Sequence, residues 1–310
     1  MEDLVLPVPE MLPAMYLVPT SMSETAAVEL TTAAVGRHVA EPVRRLTRAL
    51  LGTPALVVAP RSLAKITAVS AGDIGVDDDT EVIAFAAMNP PRPGPVHEWT
   101  TRAAAAAFAT AIGLPLIDAF GSWTLDPAHA LATLPGAPRL AHVDGGFRLA
   151  DWVAVLREER RLTTQGLGRF GLPELRLDDV PAELHTPWTI ALTALGRRLL
   201  ELLRCELRRG AAAFVRVPTL IGIRRADIGA AYGLALDETG DPLPVRLSLE
   251  PAVTDRLEGF LTVDPAGHRL TVRSTLLGET ASGGARRARR NQHAAAARRR
   301  GAAAPARPTD

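Results

Sequence analysis

The sequence predicts an α+β fold in which a mixed, mainly antiparallel sheet is packed by two or three helices. Two patterns indicate this class. The last third of the chain has short apolar segments that alternate with polar residues at strand period, whereas helical periodicity is found in a few longer segments. The chain has 310 residues, of which 47% are hydrophobic and 22% charged, so it is long enough to bury a sizeable core. We expect one α+β domain over residues 23–280, with a sub-boundary near 140–150.

The N-terminal part is predicted to be irregular first and helical afterwards. Because the first twenty residues carry four prolines, residues 1–22 are expected to form an extended, irregular lead-in. These prolines are Pro7, Pro9, Pro13 and Pro19. An Ala-rich segment predicts a helix from about residue 24 to 35, which ends at Gly36. A second short helix is expected to begin at Pro42, because proline suits the first helical position.

The middle of the chain predicts a β-loop-α-β unit. Residues 81–88, "EVIAFAAM", form the stronger strand candidate, a helix is expected over 96–112, and "LPLIDAF" (114–120) follows as a second strand. Glu98 lies in the first turn of this helix and is expected to complement the helix dipole. Asp118 ends the second strand, and the sequence identifies no partner for it.

The C-terminal part contains the clearest helix, expected over 187–209. Thr186 is a suitable N-cap, Pro187 suits the first helical position, and Gly210 follows the end. Cys205 lies beside the apolar stripe of this helix and is expected to be a buried, inert thiol. A short helical turn is predicted over 224–233. Four further segments alternate like strands, namely 213–218, 244–250, 260–264 and 269–276.

Residues 281–310 are predicted to form a disordered basic tail. From residue 285 onwards the chain holds eight arginines, one acidic residue and no apolar side chain larger than Ala or Pro, so it cannot dock on a core. Seven of the arginines are candidates for contacts with an anion, namely Arg286, Arg287, Arg289, Arg290, Arg298, Arg299 and Arg300. Such a tail could bind nucleic acid through phosphates. It has no aromatic residue to stack on bases, which favours a solvated tail.

The composition also limits the compartment and the cofactors. One cysteine, Cys205, excludes an internal disulfide framework and a cysteine-based metal site. No apolar run is long enough to cross a membrane, and the N-terminus lacks the pattern of a signal peptide. We therefore expect a cytoplasmic protein with no membrane partner, no metal and no cofactor.

The most distinctive local pattern is "GLGRFG" at residues 166–171, a literal G-x-G-x-x-G. A dinucleotide-binding loop would be followed by a helix, but Pro173 and the strand-like "ELRL" follow here. A protein-kinase loop would need a lysine on the next strand, and the only lysine, Lys65, lies far upstream. We interpret the segment as a sharp strand-turn-strand. Its turn residues are Gly166, Gly168, Phe170, Gly171 and Pro173, and Arg169 and Glu174 are expected to pair across it or to cap backbone groups.

The run T-x-G-L-x-R-F-G-L-P-E-L, residues 164–175, resembles a motif of uncharacterised, largely actinobacterial proteins that are classed as domains of unknown function. The segment "ADIGAAYG" (226–233) followed by "GFLTVDP" (259–265) is similar to their C-terminal pattern. The resemblance implies a single α+β domain and no established activity, so no catalytic residue follows from it.

No common catalytic constellation is present in the sequence. The seven histidines show no metal-binding spacing, and no nucleophile elbow or phosphate loop occurs. The leading hypothesis is a non-catalytic protein that binds a protein or a small molecule. One alternative is an enzyme with a non-standard site around 164–175, using Arg169, Glu174, His185 or His97. A second alternative is a nucleic-acid-associated protein that acts through its tail.

Overall fold

The structure, a computed structural model, describes residues 3–66, 77, 79–92, 94–136, 147–210, 213–236, 240–250, 259–266 and 272. The predicted tail 281–310 and most of the predicted strand 269–276 lie outside the described residues. The α+β class is confirmed, because helices pack on sheets in which all pairings but one are antiparallel. None of the helices in the described ranges is long and apolar enough to cross a membrane.

The first sheet is built from the N-terminal part of the chain. Its five strands lie in the order β3-β4-β2-β5-β6, and every neighbouring pair is antiparallel. The strands are β2 (Leu12–Pro19), β3 (Val57–Ser62), β4 (Glu81–Asn89), β5 (Leu116–Asp118) and β6 (Trp123–Leu125). The helices of this part are α1 (Glu24–His38), α2 (Val43–Leu50), α3 (Val96–Ile112) and α4 (Pro127–Ala132). Of these, α1 and α3 contact the sheet directly, and the buried Ala103–Ala107 run of α3 permits a close approach.

The second sheet is built from the C-terminal part and has the order β11-β12-β13-β9-β8-β7. Its strands are β7 (Ala154–Glu158), β8 (Arg161–Gln165), β9 (Glu174–Leu177), β11 (Leu220–Ile223), β12 (Leu243–Glu250) and β13 (Phe260–Asp264). The pair β13–β9 is parallel. Helix α5 (His185–Arg209) packs on this sheet and on α6 (Arg225–Tyr232). Helix α5 begins at His185, two residues before the predicted start, because a short 3-10 turn (Ala182–Leu184) leads into it.

The irregular lead-in predicted for residues 1–22 is wrong, because this segment contains two strands. Strand β1 (Asp3–Pro7) pairs with β10 (Phe214–Pro218), and β2 lies in the middle of the first sheet. The prolines are compatible with this because Pro7 and Pro19 end their strands. Pro13 lies where β2 is paired with β4 alone, since β5 reaches only Tyr16 and Leu17. Proline is tolerated at such an edge-like position because its missing N–H faces no partner strand.

Strand β2 also changes the predicted β-loop-α-β unit. Both β4 and β5 run antiparallel to β2, so they are parallel to each other, with α3 as the connection and β2 inserted between them. The arrangement is a split β-α-β unit. It brings the middle of β2, the first turns of α3 and the end of β5 to one place, next to the loop between β8 and β9 of the second sheet.

Candidate functional site

Five polar side chains meet between the two sheets, and we call them the buried ion cluster. They are Tyr16 on β2, Glu98 and Arg102 on α3, Asp118 at the end of β5, and Arg169 in the loop 166–171, which we call the glycine loop. Each of them is no more than 1% exposed. Charged groups are rarely buried to this extent unless they are paired, so their contacts decide what the cluster does.

The strongest contact joins the two parts of the chain. Arg169 donates two hydrogen bonds to the Asp118 carboxylate, from Nη2 to Oδ1 at 2.7 Å and from Nη1 to Oδ2 at 2.9 Å. A bidentate arginine–carboxylate pair of this kind is both strong and geometrically specific. Asp118 Oδ1 also accepts from the backbone amides of Phe120 and Gly121, at 3.1 and 3.2 Å. The carboxylate is therefore fixed by its own turn before it binds the arginine.

The Tyr16 hydroxyl lies at the centre of the buried ion cluster. It donates to Glu98 Oε2 at 2.7 Å and accepts from Arg102 Nε at 3.0 Å and from Arg169 Nη1 at 3.1 Å. A hydroxyl has one donor and two acceptor sites, so all of its hydrogen-bonding capacity is used. Tyr16 thus links one carboxylate to both guanidinium groups.

Arg102 connects the cluster to an aromatic group of the C-terminal part. Its guanidinium carbon lies 3.3 Å from the centre of the Trp152 ring, which is a cation–π contact. Its Nη1 donates to Thr133 Oγ1 at 3.1 Å and to the Asp151 carbonyl at 3.2 Å. Phe170 of the glycine loop and Phe147 pack edge-on, and Trp152 contacts both rings. An apolar wall therefore closes the cluster on this side.

The surroundings of Arg169 and Tyr16 fix the protonation states of these two groups. Burial alone would lower the pKa of the Arg169 guanidinium, but Asp118 and Glu98 raise this pKa well above its ordinary value, so Arg169 stays charged. Burial raises the pKa of the Tyr16 hydroxyl well above its ordinary value, so Tyr16 stays neutral. Two cations face two carboxylates through a neutral hydroxyl, and this balance suits a structural ion network.

The glycine loop is a strand-turn-strand corner, as its sequence indicates. Gly166 has φ +111° and Gly171 has φ +80°, both in the region that favours glycine. At Gly166 a Cβ would lie 2.8 Å from the Trp152 carbonyl oxygen, so a side chain does not fit. Gly168 and Phe170 lie in a short 3-10 turn, and Pro173 separates it from β9. A dinucleotide-binding loop would be followed by a helix, and a protein-kinase loop would need a lysine on the next strand. This segment has neither.

Glu174 holds the glycine loop from the inside. Its Oε1 accepts from the amides of Gly166 at 2.8 Å and Gly168 at 3.2 Å, and its Oε2 accepts from Thr164 Oγ1 at 2.7 Å. Burial raises the pKa of the Glu174 carboxyl, and these hydrogen bonds oppose the shift. Successive amides that converge on one oxygen form a nest of the kind that binds anions. Here the anion is a side chain of the same chain.

The four candidates for catalysis occupy separate environments. Arg169 is bonded to Asp118, whereas Glu174 caps backbone amides, so the two do not pair with each other. His97 is buried, and its Nε2 lies 3.0 Å from the Arg169 carbonyl. His185 begins α5, and its Nε2 lies 3.2 Å from the Val180 carbonyl. The structure thus places three candidates around the glycine loop, on different sides of it, and the fourth elsewhere.

Sequence reasoning missed four of the five cluster residues. Glu98, expected only to complement the helix dipole, is fully buried and bonded to Tyr16. A signal was present, because Glu98 and Arg102 are spaced i, i+4 at the start of a helix that is otherwise rich in alanine. The expectation for Cys205 was also wrong, since this thiol is exposed on α5.

A small cleft lies beside the glycine loop, and we call it the α5 cleft. It is lined by residues of α5, of the first turn of α3 and the segment before it, and of the loop, among them Arg92, His97, Phe170, Leu203, Arg204 and Leu207. Its enclosed space is about 10 Å³, which is the size of a single water site. In the described part of the chain, no group of three or more His, Cys, Asp or Glu side chains could hold a metal ion.

Comparison with known proteins adds no family to this description. No protein-family model matches the chain, and no curated protein or solved structure is significantly similar to it. The resemblance of residues 164–175 to an actinobacterial family stays a prediction. So does the assignment of anion contacts to the tail arginines, which lie outside the described residues.

Proposed function

We propose that this chain is a non-catalytic protein that binds a protein or a small-molecule partner. The observation that supports this proposal is the sealing of the buried ion cluster, whose five side chains are no more than 1% exposed. A catalytic acid or base must come within hydrogen-bond reach of its substrate. In this cluster the charged groups are bonded to one another across the two sheets. Their role is to hold the N-terminal and C-terminal parts of the chain in register.

The enzymatic alternative needs several side chains to converge on one substrate. Arg169 is occupied by Asp118, Glu174 by the amides of the glycine loop, and His185 lies near the Val180 carbonyl. His97 lines the α5 cleft, which encloses about 10 Å³. These placements favour binding over catalysis.

Turnover of small molecules distinguishes the two functions. Full-length protein is incubated with a small-molecule extract of the cells that produce it, and compound levels are followed by mass spectrometry. His97→Gln serves as the matched variant. We expect the protein to bind at most one molar equivalent of any compound and to consume none. Consumption of many equivalents by the native chain, abolished in H97Q, would overturn the proposal.

The nucleic-acid hypothesis for the tail has a separate test. Binding of a DNA duplex and of a single-stranded RNA is compared at low salt between the full chain and a chain that lacks residues 281–310. Binding that is lost with the tail and that weakens steeply with salt would support this role. Equal retention by both chains would exclude the tail as the binding element.

A further inference from the structure

We infer that the α5 cleft is a binding site for a single oxyanion group, a carboxylate or a phosphate, of a small ligand. The inference names the ligand class for the binding role proposed above and rests on that role for its biological purpose. It comes from the basic side chains that line the cleft and from its size.

The charged residues that line the cleft are all basic. Arg92 and Arg204 line it together with His97, and none of the lining residues that the structure describes is acidic. Arg92 is exposed and makes no ion pair with any residue that the structure describes. Two guanidinium groups at one opening attract an anion, and they match the planar geometry of a carboxylate or phosphate.

Arg204 has only part of its charge and hydrogen-bonding capacity satisfied. The residue is 9% exposed, its Nη1 donates to Glu201 Oε1 at 3.0 Å, and its Nε is buried without a hydrogen-bond partner. Glu201 Oε1 also accepts from Arg197, so one carboxylate is shared between two guanidinium groups. Burial lowers the pKa of Arg204, and repulsion from Arg197 lowers it further. An anion beside Arg204 would favour the charged form of this guanidinium group.

His97 adds a positioned ring to the same wall. A carbonyl oxygen only accepts, so His97 Nε2 donates its proton to the Arg169 carbonyl. This bond fixes the ring against the backbone of the glycine loop. The loop that the sequence singled out therefore forms one side of the cleft, through Phe170, and holds the histidine that forms another.

The size of the cleft limits what enters it. An enclosed space of about 10 Å³ accepts one oxygen atom, while the rest of the group stays at the open mouth beside Arg92. Leu203 and Leu207 line the same opening and would contact an apolar ligand body. An aromatic or aliphatic compound with one terminal oxyanion fits these features.

The probes for this site are phenyl phosphate and benzoate, with uncharged benzyl alcohol as the reference ligand. Binding to the full chain is measured by isothermal titration calorimetry. Leu207→Glu places a carboxylate in the cleft, and Cys205→Glu places one on an exposed position of the same helix. Both variants change the net charge equally, so the tail arginines contribute equally to both. Arg92→Gln is compared in the same way with Arg61→Gln, an exposed arginine on β3.

We expect both anions to bind and benzyl alcohol not to bind. L207E should abolish anion binding, whereas C205E should retain it. R92Q should weaken anion binding about tenfold, because one charge-assisted hydrogen bond is lost, whereas R61Q should leave binding unchanged. A preference for phenyl phosphate or for benzoate identifies the oxyanion. Equal affinities of L207E and C205E, or no anion binding at millimolar concentrations, would overturn the inference. That result leaves the proposed function intact, because turnover of the extract tests it separately.

Discussion

Removal of the negative charge at Asp118 tests whether the buried ion cluster holds the fold together. In Asp118→Asn, the new amide group at the Oδ2 position faces Arg169 Nη1, which donates to Oδ2 at 2.9 Å in the native chain. Two donors then oppose each other. The alternative amide orientation opposes Arg169 Nη2 and two backbone amides instead. In either orientation the two buried guanidinium groups keep Glu98 as their one carboxylate partner in the cluster.

The magnitude follows from burial. Breaking a fully buried ion pair on one side costs about 3–5 kcal/mol, because a charge is left without compensation in the interior. The matched control is Asp178→Asn, which removes a carboxylate that accepts from Arg161 at 2.6 Å but is 34% exposed. A partly solvated pair of this kind contributes about 0–1 kcal/mol. We expect the Tm of D118N to fall on the order of 10 °C, and that of D178N to fall far less.

Urea denaturation followed by circular dichroism and by tryptophan fluorescence measures both variants. If D118N does not accumulate as folded protein, Thr133→Val provides a milder perturbation, because it removes the acceptor for Arg102 Nη1 at 3.1 Å and the hydroxyl that donates to the Ala130 carbonyl at 2.7 Å, but no charge. We expect T133V to lower the free energy of unfolding by about 1–2 kcal/mol. Free energies of unfolding for D118N and D178N that agree within about 1 kcal/mol would refute the structural role of the cluster.

Three further outcomes follow from the glycine loop and from the tyrosines. Glu174→Ala leaves the loop amides without their acceptor, so it should cost about 1–3 kcal/mol in urea denaturation and speed amide exchange there, with Glu174→Gln intermediate. Gly166→Ala should cost more than Gly52→Ala, since a Cβ at Gly52 meets nothing within 4 Å. Tyr16 and Tyr232, the only tyrosines, both have a pKa raised by burial, so their stabilising contribution is complete below about pH 10 and is lost above it. Absorbance at 295 nm should show tyrosinate only as the chain unfolds, and a tyrosine that ionises in the folded protein near pH 10 would contradict this.

Elements with strong local patterns were predicted closely. The helix expected over 96–112 is Val96–Ile112, and the strand expected over 260–264 is Phe260–Asp264. Both are bounded by residues that act locally, such as Gly113, which has φ +71° at the end of α3. Hydrophobic periodicity and the residues that end a helix or strand depend only on neighbouring positions, so they can be recognised in a single sequence.

Strand β2 was missed because its stability does not come from its own residues. Pro13 and Pro19 in this strand, with Pro7 and Pro9 just before it, argue against a strand, but β4 pairs with β2 along all eight residues. Tyr16 and Val18 on this strand are fully buried against the helices of the first sheet. Tertiary pairing overrides local propensity here, and no window of the sequence contains that information.

The contacts of the buried ion cluster could not be predicted from the sequence, because they join residues that are far apart along the chain. The hydroxyl of Tyr16 and the guanidinium of Arg169 are separated by 153 positions, and Arg169 and Asp118 by 51. Only the folded chain brings them together. In the sequence the residues of the cluster appear only as unrelated features. Asp118 is an acid that ends a strand, and Glu98 and Arg102 are a charged pair on an Ala-rich helix.

The glycine loop shows why a phosphate-loop pattern can be physically meaningful without a phosphate. The spacing of glycines lets successive amides point toward one side of the turn, and such amides attract an anion. In a nucleotide enzyme that anion belongs to the ligand. In this chain Pro173 turns the backbone so that Glu174, the next residue, starts β9 and places its carboxylate on the amides of Gly166 and Gly168. The pattern therefore reports an anion-binding backbone, and the residue that follows the glycines decides whether the anion comes from outside or from the chain itself.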